Sequence, residues 1–239
     1  MTIVRKIFGL CDSASFFADE TEPPHFARKM VALAGKEVPV ICYMGAAQGD
    51  NPDRIAEFER LMDRIGARSR ILSLYNPPSH DAAGFFEGVD GIYVDGGSTR
   101  NLIALFREWD VVDIFREAYR KGVLIAGASA GLNLLFKWCI TDSVKTELEP
   151  MPGLGMIDGS VCVHFDSQLE RQDIFRTFLQ GSDAHFPAYA LDDGSAVYFE
   201  NERLSDCIAI RPDAGIVEYQ LGEGGLTDQV LSITRLQRP

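Results

Sequence analysis

The sequence predicts an α/β fold in which a mostly parallel β-sheet is covered by helices on both faces. Between residues 39 and 136, short apolar runs alternate with longer amphipathic ones, which is the rhythm of βα units joined by right-handed crossovers. The chain has 239 residues, of which 46% are hydrophobic and 24% are charged. This composition suits a globular α/β domain of that length. We therefore expect residues 1–239 to form a single domain.

Each element of this core has its own local pattern. Four short apolar runs are predicted strands: residues 39–44, 70–75, 91–97 and 123–127. Three amphipathic runs are predicted helices: residues 51–67, 98–109 and 110–122. The first helix begins at an Asn-Pro pair and the third ends at a glycine, which are typical helix boundaries.

The last third of the chain has a different pattern. Residues 160–165 are a predicted strand and residues 168–181 a predicted helix. Five short strand candidates follow, with the sequences AYALDD, SAVYFEN, CIAIRP, GIVEYQL and QVLSITRL. Strands so close together, joined by turns with Gly and Asp, indicate an antiparallel edge or flap.

Charge and cysteine usage narrow the class of protein. The net charge of −12 argues against nucleic acid or an anionic membrane as a partner. The five cysteines form no CxxC pair and no stretch is as apolar as a membrane span. We therefore expect reduced cysteines and a cytoplasmic protein. Neither metal-ligand spacing nor a nucleotide-binding glycine motif is present in the sequence, so we expect no metal and no cofactor.

The segment GASAG, residues 127–131, carries the strongest chemical signal. It lies between a predicted strand and an apolar helix, and it matches the G-x-S-x-G turn that exposes a nucleophilic serine. Ser129 is therefore a candidate nucleophile, and the backbone N–H of Ala130 a candidate oxyanion donor. The alternative interpretation is a tight βα turn without chemistry.

A serine nucleophile needs a base and an acid, and the residues leave two arrangements open. In the order of the α/β-hydrolases, His185 is the base and Asp158 or Asp166 the acid. In the rival order, His164 is the base and the acid lies in the LDDG turn at residues 191–194.

Four blocks in register make the chain resemble a family of serine peptidases. The blocks are YVDGGSTRNLIALF, GVLIAGASAGLNLL, VHFDSQLERQDIF and ALDDGSAV, and the family is that of dipeptidase E (aspartyl dipeptidase) and cyanophycinase. The resemblance implies a flavodoxin-like fold, akin to class I glutamine amidotransferases. It also implies a site with these roles: Ser129 as nucleophile, His164 as base, Asp193 (with Asp192 adjacent) as acid, Gly97 as second oxyanion donor beside Ala130, and Asp142 as a further acidic residue.

The resemblance also implies a substrate class. Ser98 stands where the family commonly has Asn, and Thr99 stands where cyanophycinases favour Gln, so the sequence is closer to the dipeptidase branch. We expect a small peptide substrate, with Asp-X dipeptides first and cyanophycin or isoaspartyl peptides as the alternative. Arg171 and Arg100 are candidates for holding an acidic side chain, although a solvated helix-face role is the simpler interpretation. A non-catalytic ligand-binding protein of this fold is the alternative from another class, and we expect a monomer or homodimer.

Overall fold

The computed structural model describes residues 3–17, 24–79, 81–143 and 147–236. The helices are α1 (Ala14–Phe17), α2 (His25–Leu33), α3 (Pro52–Arg64), α4 (Thr99–Glu108), α5 (Val111–Arg120), α6 (Ala130–Leu135) and α7 (Glu170–Leu179). The strands are β1 (Lys6–Leu10), β2 (Val40–Met44), β3 (Arg68–Ile71), β4 (Gly91–Val94), β5 (Leu124–Ala128), β6 (Phe136–Thr141), β7 (Glu149–Pro152), β8 (Ile157–Cys162), β9 (Ala188–Leu191), β10 (Ser195–Glu200), β11 (Arg203–Ala209), β12 (Ile216–Gly222), β13 (Gly225–Val230) and β14 (Thr234–Arg235).

The first sheet has eight strands in the order β14-β11-β10-β1-β5-β4-β2-β3. Its five strands from β1 to β3 in that order run parallel, as the βα rhythm predicts. Strand β10 joins β1 antiparallel, and β11 joins β10 antiparallel. The expected α/β fold is thus confirmed, together with its antiparallel C-terminal strands.

Alternate side chains of the parallel strands enter two separate cores. Ile41 and Tyr43 of β2 pack with helices α1, α2 and α3, whereas Cys42 and Met44 pack with α4, α5 and α6. A strand buried on both faces reads as an unbroken apolar run. For this reason the PVICYM run at residues 39–44 predicts a strand correctly.

A second sheet of six strands was not predicted as a separate layer. Its order is β13-β12-β9-β8-β6-β7, with β6, β8 and β9 parallel. The sequence indicates a helix as far as Phe136, but α6 ends at Leu135 and β6 begins at the next residue. An apolar run that passes directly from helix to strand contains no turn residue to mark the boundary.

Helix α6 lies between the two sheets. All six of its residues are buried, and it contacts β5, β1 and β4 of the first sheet and β6 and β8 of the second. Apart from Asn133 its residues are apolar or small, so it has no polar face to expose to solvent. Ser129 therefore directly precedes a helix that packs against both sheets.

Strand β3 differs from its prediction. The pattern at residues 70–75 predicts a strand there, whereas the structure places it at Arg68–Ile71. Leu72 and Leu74 are buried beyond the strand end, so their apolar character reflects loop packing. Within the described ranges, no helix combines the length and apolar character needed to cross a membrane.

Candidate active site

Ser129 stands at the turn between β5 and α6, as the GASAG segment predicts. Its backbone has φ 50° and ψ −107°, a conformation that residues with a side chain rarely adopt. Its N–H donates to the Leu10 carbonyl at 3.0 Å. Such strain persists where the surrounding structure imposes it, and it is found mainly at functional sites.

The glycines around Ser129 permit this turn through close backbone contact. A Cβ on Gly127 would lie 2.4 Å from the Gly131 carbonyl oxygen, and a Cβ on Gly131 would lie 2.0 Å from that of Val94. Both distances are well inside van der Waals contact. Only glycine lets the chain turn here without pushing Ser129 out of place.

Three side chains form a continuous hydrogen-bonded line at the carboxyl end of β5. Ser129 Oγ lies 3.0 Å from His164 Nε2, and His164 Nδ1 lies 2.6 Å from Asp193 Oδ1. The imidazole is 20% exposed and the carboxylate 27% exposed, so both are reachable from solvent. His164 also has a positive φ of 58°. The rival order, with His164 and the LDDG turn, is therefore the one that the geometry brings together.

The contacts of Asp192 and Asp193 distinguish these adjacent acids. The Asp192 carboxylate accepts the Gly215 N–H at 2.7 Å, and burial raises its pKa. Burial would also raise the pKa of Asp193, but hydrogen bonds from His164, Ser167 and Cys11 and the charge of His164 lower it to about 2. Asp193 is therefore ionised at neutral pH and faces the imidazole.

The ion pair between Asp166 and Arg211 binds the backbone of Asp193. The Asp193 N–H donates to Asp166 Oδ1 at 2.9 Å, and Asp166 Oδ2 accepts from Arg211 at 2.9 Å. Arg211 also donates to the Asp193 carbonyl at 3.1 Å. Asp166, a candidate acid in the α/β-hydrolase order, thus stabilises the Asp193 turn and pairs with Arg211, not with His185.

The other candidate pair, His185 and Asp158, lies elsewhere. His185 Nδ1 is 3.1 Å from Asp158 Oδ1, and Asp158 is 77% exposed. His185 is bonded through its backbone to Ser160. His185 and Asp158 therefore form an exposed pair on β8, which contains Asp158. His25 begins α2, and His80 lies outside the described residues.

The candidate oxyanion donors are the backbone N–H groups of Gly97 and Ala130. Gly97 is exposed, has φ 134°, and a Cβ there would lie 2.4 Å from the Ala47 carbonyl oxygen. Among the described residues, neither its N–H nor that of Ala130, the first residue of α6, has a hydrogen-bond partner. Ser98 caps α4 by accepting the Asn101 N–H at 3.2 Å.

The structure corrects the expectation for Arg171. Its side chain is 3% exposed, whereas a substrate ligand or a solvated helix-face residue would be accessible. Its three nitrogens donate to Gln168, to the Ile140 carbonyl at 3.0 Å and to Asp142 at 2.9 Å. Asp142 thus lies at the end of β6 and faces Arg171. A buried guanidinium with every nitrogen engaged ties α7 to β6 and does not present a free cation.

Replacing Arg171 by Ala should therefore destabilise the fold. It leaves the Ile140 carbonyl without its donor, and we expect a loss of about 1–3 kcal/mol in the free energy of unfolding by urea. Arg120→Ala is the matched control, because Arg120 is 65% exposed and pairs only on the surface; it should change stability by less than about 0.5 kcal/mol. Unchanged stability, with a loss of activity confined to acidic peptides, would restore a specificity role for Arg171.

Arg100 remains accessible. Its side chain is 34% exposed, and its guanidinium pairs with Glu149, which is 49% exposed. It lies in the first turn of α4, three residues after Gly97. An exposed ion pair of this kind contributes little to stability.

The sequence analysis did not predict that Cys11 contacts His164 and Asp193. Cys11 Sγ accepts the His164 N–H at 3.0 Å and lies 3.4 Å from Asp193 Oδ1. One side-chain N, O or S atom from each of Cys11, His164 and Asp193 lies within 4.8 Å of the other two. The spacing of these residues in the sequence does not reveal this proximity. The sequence predicts only that Cys11 is reduced, and nothing in its local pattern marks it as part of the site.

Fold and geometry together are those of α/β hydrolytic enzymes that carry a serine at a strand-to-helix turn. Residues 10–207 match the family model described as peptidase family S51. The uncharacterized peptidase YgaJ of Bacillus subtilis (strain 168) is 34% identical over 201 residues, which cover 84% of this chain and 86% of that protein. The chain therefore belongs to peptidase family S51 and is a peptidase.

Solved structures share the architecture. The crystal structure of a peptidase from an acI-B1 Actinobacterium has a TM-score of 0.72 at 16% identity, covering 97% of this chain and 96% of that one. The crystal structure of a putative peptidase E protein from Listeria monocytogenes EGD-e has a TM-score of 0.65 at 13% identity, covering 87% of this chain and 100% of that one. At these identities both comparisons show the fold alone. The family resemblance drawn from four sequence blocks is confirmed.

Proposed function

We propose that this protein is a serine-type peptidase that cleaves short peptides, with Asp-X dipeptides as its principal substrates, through a Ser129–His164–Asp193 triad. The observation that carries the proposal is the line of contacts from Ser129 Oγ to His164 Nε2 at 3.0 Å and from His164 Nδ1 to Asp193 Oδ1 at 2.6 Å. A nucleophile, a base and an orienting acid in this order are what acyl transfer through serine requires.

The first half of the reaction forms an acyl-enzyme. With Asp193 ionised, the proton of the neutral imidazole lies on Nδ1, so Nε2 accepts the Ser129 hydroxyl proton as Oγ attacks the peptide carbonyl. The C–O bond forms and the carbonyl π pair moves to oxygen. When the tetrahedral intermediate collapses, the C–N bond breaks and Nε2–H of His164 protonates the leaving amine.

The second half releases the acid product. Nε2 of His164 takes a proton from water while the water oxygen attacks the acyl carbon. The C–O bond to Ser129 then breaks, and the serine oxygen regains a proton from Nε2. The N–H groups of Gly97 and Ala130 stabilise the oxyanion in both halves. Preorganised donors of this kind are worth about 10²–10³-fold each in rate.

The preference for Asp-X peptides comes from the family resemblance, and Arg100 is the residue proposed to carry it. The protein has a net charge of −12, so an acidic substrate needs a local cation. A guanidinium is able to bind both oxygens of a carboxylate. Because Arg100 is paired with Glu149 at rest, an entering aspartate side chain would replace one carboxylate by another.

A dipeptide panel with a serine-directed probe tests the function. We expect the purified protein to react covalently with a fluorophosphonate at Ser129 and to cleave Asp-X dipeptides faster than neutral or isoaspartyl ones. Arg100→Ala should lower kcat/KM for Asp-X by about 10–100-fold, the effect of losing a charged hydrogen bond, and leave neutral dipeptides within about twofold. Glu149→Gln, which removes the competing carboxylate, should improve Asp-X cleavage.

Other outcomes would overturn the proposal in distinct ways. A protein that the probe does not label and that cleaves no peptide is a ligand-binding member of the fold. Faster cleavage of isoaspartyl or cyanophycin-type peptides changes the substrate and keeps the triad. If Arg100→Ala lowers kcat/KM equally for Asp-X and neutral dipeptides, Arg100 does not determine specificity.

A further inference from the structure

Four consecutive residues at the end of β1 each hold a different part of the site. We call residues 10–13 the bracket segment. Its contacts are Ser129 N–H to the Leu10 carbonyl at 3.0 Å, His164 N–H to Cys11 Sγ at 3.0 Å, Gly194 N–H to Asp12 Oδ2 at 2.7 Å, and Gly96 N–H to Ser13 Oγ at 3.0 Å. The segment therefore contacts the nucleophile, the base, the acid turn and the oxyanion loop in that order.

These contacts join two sheets. Ser129 follows β5, the neighbour of β1 in the first sheet. His164 follows β8 and Asp193 follows β9, and both strands belong to the second sheet. The register between Ser129 and its partners therefore depends on how the two sheets are held together, and the bracket segment spans that boundary.

Cys11 is the most enclosed member of the segment. It is fully buried, and its Sγ lies 3.2 Å from the Leu191 carbonyl and 3.4 Å from Asp193 Oδ1. Burial raises the pKa of the thiol well above its usual range. The sulfur thus keeps its proton, which it shares between these two acceptors, while it accepts the His164 N–H.

The contact to His164 acts on a residue under strain. His164 and Ser129 both have positive φ values, 58° and 50°, and adjacent residues of the bracket segment accept both of their N–H groups. A positive φ is disfavoured for a residue with a side chain, so it persists only where surrounding contacts impose it. Loss of the Cys11 acceptor would let the His164 backbone relax and take the imidazole away from Ser129.

Asp12 holds the acid turn in a similar way. Its carboxylate is 8% exposed, and it accepts the Ser15 N–H at 2.6 Å and the Ser15 hydroxyl at 2.8 Å besides the Gly194 N–H. Gly194 directly follows Asp193, so this bond fixes the turn from which the Asp193 carboxylate projects. A buried carboxylate with its acceptors in use is a rigid support.

We propose that Cys11 and Asp12 are positioning residues that align His164 and Asp193 of the second sheet with Ser129 of the first. Neither side chain belongs to the triad: Cys11 bonds to the His164 backbone and the Asp193 carboxylate, and Asp12 bonds to the backbone of Gly194. The inference rests on the proposed triad, since it assigns these two residues their task within that reaction.

The test compares buried cysteines. Cys11→Ala should lower kcat/KM for the best dipeptide by about 10–100-fold, mainly through kcat, and should slow fluorophosphonate labelling of Ser129 equally. Cys11→Ser keeps a donor and an acceptor and should recover most of the rate. Cys42→Ala is the matched control: Cys42 is equally buried but lies in β2, two strands from β5, so it should lose stability and keep the rate within about twofold. Asp12→Asn, which turns one acceptor into a donor, should lower kcat as Cys11→Ala does.

A spectroscopic readout separates positioning from folding. The short Nδ1···Oδ1 contact of 2.6 Å predicts a strongly deshielded His164 proton in the NMR spectrum. That signal should persist in Cys42→Ala and be lost or shifted in Cys11→Ala. Wild-type rate and signal in Cys11→Ala, or equal losses in Cys42→Ala, would overturn the proposal. The proposed function would fail separately if the wild-type protein were neither labelled by the fluorophosphonate nor active on any peptide. In that case the His164 proton signal would still show whether Cys11 positions His164.

Discussion

Replacing Ser129 by Ala should lower kcat/KM on the best dipeptide by at least about 10⁴-fold. Removal of the nucleophile disables the whole triad, because its members act as a unit. Folding should persist, since the Ser129 side chain makes no capping bond in α6 and its N–H remains bonded to Leu10. The measurement is steady-state hydrolysis together with thermal unfolding of the same preparation.

The control for this experiment is another serine. Ser160 is fully buried in β8 and its hydroxyl donates to the His185 carbonyl at 2.8 Å. Ser160→Ala should cost stability and leave the rate per folded molecule within a few-fold. Activity in Ser129→Ala that equals the wild type would end the serine-peptidase proposal.

Replacing Asp193 by Asn should lower kcat by about 10⁴-fold, by analogy with the acid of serine proteases. An amide donates toward His164 Nδ1 and so favours the tautomer with its proton on Nε2, where the Ser129 hydroxyl needs an acceptor. Because the pKa of Asp193 is about 2, its carboxylate is ionised from about pH 5 to about pH 9. We therefore expect the variant to be slow across that range instead of recovering at one end of it.

Asp192→Asn is the matched control on the adjacent residue. It weakens the bond to the Gly215 N–H and should reduce stability while it leaves kcat within about tenfold. If Asp192→Asn is the variant that loses activity and Asp193→Asn is not, the acid of the triad is one residue earlier than proposed.

The sequence determined the parts of the molecule that depend on local pattern. Strands β2, β4 and β5 are apolar runs buried on both faces, and helices α3, α4 and α5 have amphipathic spacing, so periodicity was sufficient to predict them. Strand β1 was not predicted, and β3 lies earlier in the chain than its predicted run. GASAG predicted the turn at Ser129 because close contact between Gly127 and Gly131 requires small residues. The four blocks in register identified the family, and with it His164 and Asp193 as the partners to examine.

Only the tertiary structure decided which side chains meet across the two sheets. The contact between Cys11 and His164 joins residues 153 positions apart, and no periodicity connects them. Asp192 and Asp193 have the same chemistry and adjacent positions, and the Gly215 N–H distinguishes them. Arg171 has a polar, helix-face pattern, yet its guanidinium is buried against β6. Local sequence shows which residues are apolar, whereas strand pairing and sheet packing determine which residues become buried and what covers them.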